Sequence, residues 1–201
     1  EANPGGAPCN VLAMLNKLGY KTAFIGKVGK DIFGRQLKNL VSEIGINITG
    51  LAEDKAVNTT LAFVHTLEGG DREFSFYRNP GADMMLNESD VKPEIIENSR
   101  IFHYGSLSMT NEVCEAATKK AIDIAEKAGC ILSFDPNLRE NLWDSLDTAM
   151  EKIEYGLKHC NVLKISDNEI QWLTGEMDFD KAIASLRDRY NIPLILLSLG
   201  K

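Results

Sequence analysis

No two cysteines in this chain stand at C-x-x-C spacing. Cys9, Cys114, Cys130 and Cys160 are scattered, and the three histidines, His65, His103 and His159, do not cluster near them. Zinc sites and disulfide frameworks both depend on such spacing, so both readings are poor and buried reduced thiols are expected. Also missing is any apolar run near the roughly 20 residues that span a bilayer, and no charged-then-apolar leader precedes the first glycines. The expectation is a cytoplasmic protein without a membrane partner. Basic residues are outnumbered, 22 Lys and Arg against 29 Asp and Glu, for a net charge of -7. With no basic stripe to offset that balance, nucleic acid is a poor partner and a small molecule a better one. Three catalytic signatures are absent as well. The loop Gly26-Lys27-Val28-Gly29-Lys30-Asp31-Ile32-Phe33-Gly34 lacks G-x-G-x-x-G spacing. Neither Gly26-Lys27 nor Gly200-Lys201 completes a Walker A loop, and no G-x-S-x-G elbow occurs.

What remains is the composition of an ordinary globular protein, 44% hydrophobic and 25% charged over 201 residues, enough to bury a substantial core. Its most informative stretch is the opening segment Asn3-Pro4-Gly5-Gly6-Ala7-Pro8-Cys9-Asn10, which runs into the helix-period positions Val11, Leu12, Leu15 and Leu18. Glycines without Cβ atoms let backbone N–H groups approach a ligand, and the first helical turn adds unpaired donors. Asn10 both donates and accepts, which suits vicinal hydroxyls better than a phosphate. A turn followed by a capped helix is the competing reading.

After Gly19 the pattern predicts a strand over Thr22–Ile25, then a glycine-rich loop, then an amphipathic helix carrying Leu37, Leu40, Val41 and Ile44. Two strand-like runs, Leu61-Ala62-Phe63-Val64 and Glu73-Phe74-Ser75-Phe76-Tyr77, flank Glu68-Gly69-Gly70-Asp71 and read as a hairpin, either a flap or a sheet edge. From Arg100 on, strand and helix repeat at about 30 residues, the size of a βαβ step. Strands are predicted at Ile101–Tyr104, Cys130–Phe134, Asn161–Ile165 and Pro193–Leu199, with a helix over Asn111–Ala128. That alternation implies an α/β fold with a mostly parallel sheet covered on both sides.

In such sheets ligands bind where strands end. The strand exits carry Gly105-Ser106, Asp135-Pro136-Asn137-Leu138-Arg139, Ser166-Asp167-Asn168-Glu169 and Ser198-Leu199-Gly200. Carboxylates, an Arg and small hydroxyls on one edge suit a magnesium-bound polyphosphate. Capping of the helix that follows Ser166, with Glu169 in its first turn, is the competing account of those residues.

Taken together, Gly5-Gly6-Ala7-Pro8-Cys9-Asn10, the Gly26 to Gly34 loop, Arg72-Glu73-Phe74-Ser75-Phe76-Tyr77-Arg78 with Ala82-Asp83, Asp135-Pro136-Asn137-Leu138-Arg139 and Trp172-Leu173-Thr174-Gly175 resemble the PfkB (ribokinase-like) carbohydrate kinases, fructokinases most of all. The resemblance implies a three-layer α/β sandwich with a small β lid. It places the core, incomplete at both ends, at residues 1–47 and 82–201 and the lid at 48–81. It implies ATP and Mg²⁺ and a sugar acceptor; separately, the hairpin's exposed edge and aromatic face, with Phe74 and Phe76 on one side, predict a homodimer formed through the lid. Gly5, Gly6 and Asn10 match positions that hold sugar hydroxyls. Arg78 matches a further sugar or phosphate contact, against a rival role as a solvated strand-end charge. For ATP, Mg²⁺ and phosphate the resemblance points to Asn137, Arg139, Lys164, Ser166, Glu169, Ser198 and Gly200, with Glu169 holding the metal through water. Ser166 stands where the family's N-x-x-E motif has Asn. The G-A-G-D motif that carries the family's catalytic base occurs nowhere in these residues and is expected beyond Lys201. Phosphorylation of D-fructose to fructose 6-phosphate is the implied activity. A 2-keto-3-deoxygluconate kinase or another sugar kinase is the alternative within the class, and a non-catalytic sugar-binding or regulatory relative the alternative outside it.

Overall fold

The computed structural model describes residues 4–66 and 72–200. The chain divides into two compact units, residues 1–92 and 93–201. In the first, α1 (Ala7–Lys17) is followed by β1 (Ala23–Gly29), α2 (Ile32–Glu43) and β2 (Asn47–Asp54). β1 and β2 pair in parallel, so α2 is the crossover of a βαβ step. Cys9, Val41 and Ile46 form the buried centre of this step, with Leu12, Phe24 and Ile48 packed on them. β3 (Leu61–Thr66) and β4 (Arg72–Tyr77) then pair antiparallel. The turn anticipated at Glu68–Asp71 lies outside the described residues.

Three features of this unit differ from the sequence expectation. β1 continues through Gly29 instead of ending at Ile25, and Gly34 lies inside α2 instead of in a loop. Both glycines mark close packing: a Cβ on Gly29 would stand 2.5 Å from the Thr59 nitrogen, and one on Gly34 would collide with the Gly29 carbonyl oxygen. β2 was not anticipated. Adjacent Gly50 and Leu51 are both buried, which interrupts the period-two signal that marks a strand.

Asp31 caps α2 and holds that junction together. Its Oδ1 accepts from the Gly34 N–H at 2.8 Å and the Thr59 hydroxyl at 2.9 Å, and its Oδ2 accepts from the Thr59 N–H at 2.7 Å. Burial pushes the Asp31 carboxyl up, but these hydrogen bonds outweigh burial and hold it below the ordinary carboxylate range. Lys27, with a side chain only 8% exposed, pairs with Asp90 at 2.9 Å and Asp54 at 3.5 Å.

The second unit opens with the short helix α3 (Pro93–Glu97). Its strands β5 (Ile101–Gly105), β6 (Ile131–Asp135), β7 (Val162–Ser166) and β8 (Leu194–Ser198) form one parallel sheet in sequential order. Between them run α4 (Glu112–Lys127), α5 (Leu146–His159), and α6 (Asp167–Thr174) with α7 (Phe179–Tyr190). Sequential order with right-handed crossovers puts α4 to α7 on one face. That face is the core: Tyr104, Leu132, Phe134, Leu163 and Ile165 are buried, as are Ala117, Ala121, Ile122, Ile153 and Leu157 of the covering helices. Residues of the opposite face, Ile101, Ile131, Leu194 and Leu196, remain exposed.

Helix α5 touches the sheet through a glycine. A Cβ on Gly156 would run into the Phe134 ring, 2.8 Å from its Cε2, and the Tyr104 hydroxyl donates to the Gly156 carbonyl at 2.9 Å. Alanine here gains up to about 1 kcal/mol of helix propensity, but overpacking costs about 1–3 kcal/mol. We therefore expect Gly156→Ala to destabilise the fold and to lower its Tm by about 2–8 °C. A calorimetric Tm at or above that of the parent would refute this packing account.

Candidate functional site

The carboxyl ends of β5 to β8 gather most of the polar residues that the sequence singled out. After β6 the chain passes through Pro136 and Asn137, and Asn137 adopts a left-handed conformation with φ 45°. This turn aims the Leu138 N–H at Glu169, whose Oε1 accepts it at 2.7 Å. The other oxygen, Oε2, accepts from the Ser166 N–H at 2.9 Å and the Ser166 hydroxyl at 2.6 Å. Ser166 and Glu169 also form a reciprocal capping box at the start of α6. The capping account of these two residues therefore holds, and the same carboxylate joins the β6 and β7 loops.

The rest of the edge is built by single contacts. Lys164 Nζ lies 3.5 Å from Asp135 Oδ1. The buried Ser106 hydroxyl donates to the Pro136 carbonyl at 2.6 Å. The Ser198 hydroxyl donates to the Ile165 carbonyl at 3.3 Å, and the Gly200 N–H donates to Asp167 Oδ2 at 2.9 Å. Arg139 Nη1 donates to the Leu138 carbonyl at 2.8 Å. Asn137, Arg139, Lys164, Ser166, Glu169, Ser198 and Gly200 thus lie along one sheet edge.

Gly5, Gly6, Asn10 and Arg78 belong to the other unit. Gly6 is the N-cap of α1 with φ 111°, a conformation suited to glycine, and no side chain caps that helix. Gly5, Gly6 and Asn10 are all exposed. Arg78 lies at the foot of the β3–β4 hairpin, directly after β4. Its side chain is only 6% exposed and pairs with Asp83, so it is not a solvated strand-end charge.

The sequence reading assigned no role to Asp83, Thr60 or Thr59, although Asp83 stands in a quoted segment. These residues meet through the fold, and no local spacing pairs them. Asp135 was noted, but its electrical environment was not. Burial pushes its carboxyl up, the Lys164 charge pulls it down and the Glu169 charge pushes it up again, with a net upward shift. Among the described residues no group of three or more His, Cys, Asp or Glu is arranged to hold a metal ion directly. Two neighbouring carboxylates, one already accepting three hydrogen bonds, suit a cation held through its hydration water. Arg139, Lys164 and the backbone N–H groups of the edge suit the oxygens of a polyphosphate.

The pfkB family carbohydrate kinases match this chain over residues 1–201. Fructokinase-2 of Solanum lycopersicum is 42% identical over 198 residues, covering 98% of this chain and 60% of the relative. Probable fructokinase-5 of Arabidopsis thaliana is 45% identical over 184 residues, covering 91% of this chain and 57% of the relative. The chain therefore spans about three fifths of the length of these curated relatives. Among solved structures, fructokinase from Vibrio cholerae O395 in its fructose, ADP and calcium ion bound form superposes with a TM-score of 0.88 at 30% identity, covering 98% of this chain and 63% of that one. Fructokinase with bound ATP from Xylella fastidiosa gives a TM-score of 0.86 at 32% identity, covering 98% and 62%.

The raised Asp135 carboxyl has a defined consequence for stability. The folded protein holds this proton more tightly than the unfolded chain does. The contribution is complete below the ordinary carboxylate pKa and is lost as the pH rises through the raised folded value. Relative to the parent, Asp135→Asn should therefore gain stability as the pH increases from about 4 to 7. A difference in Tm between the two proteins that stays flat across that range would refute it.

Proposed function

The chain belongs to the pfkB family of carbohydrate kinases, and on that premise we propose that the protein containing it transfers the γ-phosphoryl group of ATP to a sugar hydroxyl, with D-fructose as acceptor and fructose 6-phosphate as product. The observation that carries this reading is the polar edge at β6 to β8, where a Lys–Asp pair, an Arg and a carboxylate latch stand together at the strand ends. The fructose and nucleotide named for the Vibrio cholerae relative support the choice of ligands.

In this reading each group does a separate task. Gly5 and Gly6 let the backbone approach the sugar, and Asn10 exchanges hydrogen bonds with its hydroxyls. Arg78 acts on the acceptor side from the hairpin. On the nucleotide side Arg139 and Lys164 neutralise phosphate charge, while Asn137, Ser166, Ser198 and Gly200 shape the loops that receive the phosphates. Glu169, with Asp135 beside it, orients water around Mg²⁺, which when bound withdraws charge from the phosphate oxygens. None of these residues is assigned the role of general base, and the complete protein is the unit of activity. Of the segment 48–81, residues 48–54 pair as β2 with β1 in the core step, so the lid of that enzyme is its β3–β4 hairpin, and residues 1–47 and 82–201 make the rest of the core. The lid also supplies a dimer contact: Phe63 is 58% and Tyr77 69% exposed, and their rings meet edge to face with centroids 5.3 Å apart. A cytoplasmic location belongs to the same reading, since all four cysteines are buried free thiols, as a reducing compartment keeps them. Among the described residues no helix is long and apolar enough to cross a membrane.

The test is ADP release by the complete protein with ATP, a divalent cation and a panel of sugars. Turnover that requires both fructose and the cation is expected. Asn10→Ala should raise the KM for fructose about tenfold with kcat nearly unchanged, the signature of a lost ground-state hydrogen bond. Faster turnover of 2-keto-3-deoxygluconate would overturn the substrate, and sugar binding without turnover would overturn the enzyme reading.

A further inference from the structure

The β3–β4 hairpin joins the rest of its unit through two legs, residues 58–60 before β3 and 78–83 after β4. One carboxylate ties them together. Asp83 Oδ1 accepts from the hydroxyl of Thr60, on the first leg. Asp83 Oδ2 accepts from Arg78 Nε at 2.7 Å and lies 2.7 Å from Arg78 Nη2, on the second. A backbone bond from the Ala82 N–H to the Asn58 carbonyl, at 2.9 Å, closes the same junction. Ala82 itself is fully buried.

The surroundings are shaped for this clamp. A Cβ on Gly81 would collide with the Thr60 hydroxyl oxygen and come within 2.7 Å of Asp83 Oδ1. Only glycine leaves room for the carboxylate to reach across. The Arg78 side chain is 6% exposed and that of Asp83 42%, so the cation is the buried partner. Removing the carboxylate would break an ion pair whose cation is largely buried, a larger perturbation than losing a fully exposed pair. One leg is fixed a second time where Asp31 holds Thr59, the residue next to Thr60.

We propose that Asp83 is a positioning residue: by bridging Thr60 and Arg78 it sets the stance of the hairpin and of the Arg78 side chain toward the acceptor sugar. The proposal rests on the sugar kinase reading above. Asp83 itself touches no reacting atom. It acts through Arg78 and through the hairpin root, so its loss weakens acceptor binding more than nucleotide binding.

The experiment uses the complete protein with Asp83→Ala, Asp83→Asn, Thr60→Val, Arg78→Ala and the Arg78→Ala/Asp83→Ala double variant. Asp83→Ala and Arg78→Ala should each raise the KM for fructose about tenfold or more, with the KM for ATP within about twofold. The double variant should be no worse than either single one, because both remove the same unit. Asp83→Asn keeps the shape and a contact to each partner but not the charge, so its fructose KM should fall between those of the parent and Asp83→Ala. Thr60→Val, which removes only the hydroxyl contact, should give a smaller rise in the same constant and serves if the alanine variants fail to fold. Amide hydrogen exchange across residues 61–66 and 72–77 should quicken in Asp83→Ala and Thr60→Val. Unchanged exchange, an unchanged fructose KM, or additive losses in the double variant would each overturn the proposal. Should the parent convert no sugar at all, the kinase reading fails by that control, and hydrogen exchange alone then decides whether Asp83 clamps the hairpin.

Discussion

The carboxylate of Glu169 is the contact on which the candidate edge depends. Parallel strands end in loops that have no partner in the ladder, and their backbone donors must be satisfied by something else. Glu169 satisfies two backbone N–H groups and one hydroxyl with its two oxygens, taking Leu138 from the β6 loop and Ser166 from the end of β7. Hydrogen bonds to an ionised acceptor are the strong ones, and three at once fix the side chain in a single rotamer. Two loops distant in sequence thereby acquire one geometry. Asn137 in its left-handed conformation, the turn to Arg139 and the first turn of α6 all follow from it.

The same device recurs at other junctions of this protein. Asp31 gathers Gly34 and Thr59 at the end of β1, Asp83 gathers Thr60 and Arg78 at the hairpin root, and Asp167 takes the Gly200 N–H beyond β8. Hydrogen bonds hold Asp31 and Asp167 below the ordinary carboxylate range, so these groups are committed anions at neutral pH. An acidic chain without a basic stripe therefore uses part of its excess charge as internal connectors. Glycines make the connectors fit: Gly29, Gly34 and Gly81 each occupy a place where a Cβ would meet a neighbouring atom of the junction.

Much of the second unit was legible in the sequence. Its strands are short apolar runs spaced by a βαβ repeat, and a sheet in sequential order is what such spacing yields. Ser166 was legible as a cap because capping is local, a side chain bonding an amide three residues on. The first unit was less legible for the same reason in reverse. Thr60 and Asp83 are 23 residues apart, Asp31 and Thr59 28 apart, and no periodicity links them. Glycine misled in a particular way. In β1 and α2 it stands where chains come close, a use that sequence alone does not separate from a loop. At the candidate edge the strand-exit rule located the residues, but not the division between those that bond each other and those with capacity to spare.

That division is clearest in the contrast between Glu169 and Asp135, two neighbouring carboxylates with different surroundings. Glu169 accepts from three donors, two backbone N–H groups and the Ser166 hydroxyl. Asp135 is mostly buried, has a Lys164 ammonium at 3.5 Å, accepts from the Asn137 backbone and still bears a raised pKa. Its charge is therefore undercompensated, and the charge of Glu169 adds to the deficit. A positive group arriving at this edge would lower the energy of Asp135 most, while Glu169 holds the loops that define where the group stands. On the kinase reading these are separate requirements, a rigid frame and an unmet charge, and one carboxylate could not meet both. Hydrogen bonds that immobilise an anion also reduce what it gains from a cation, so an edge built to receive one needs a second acid kept short of donors.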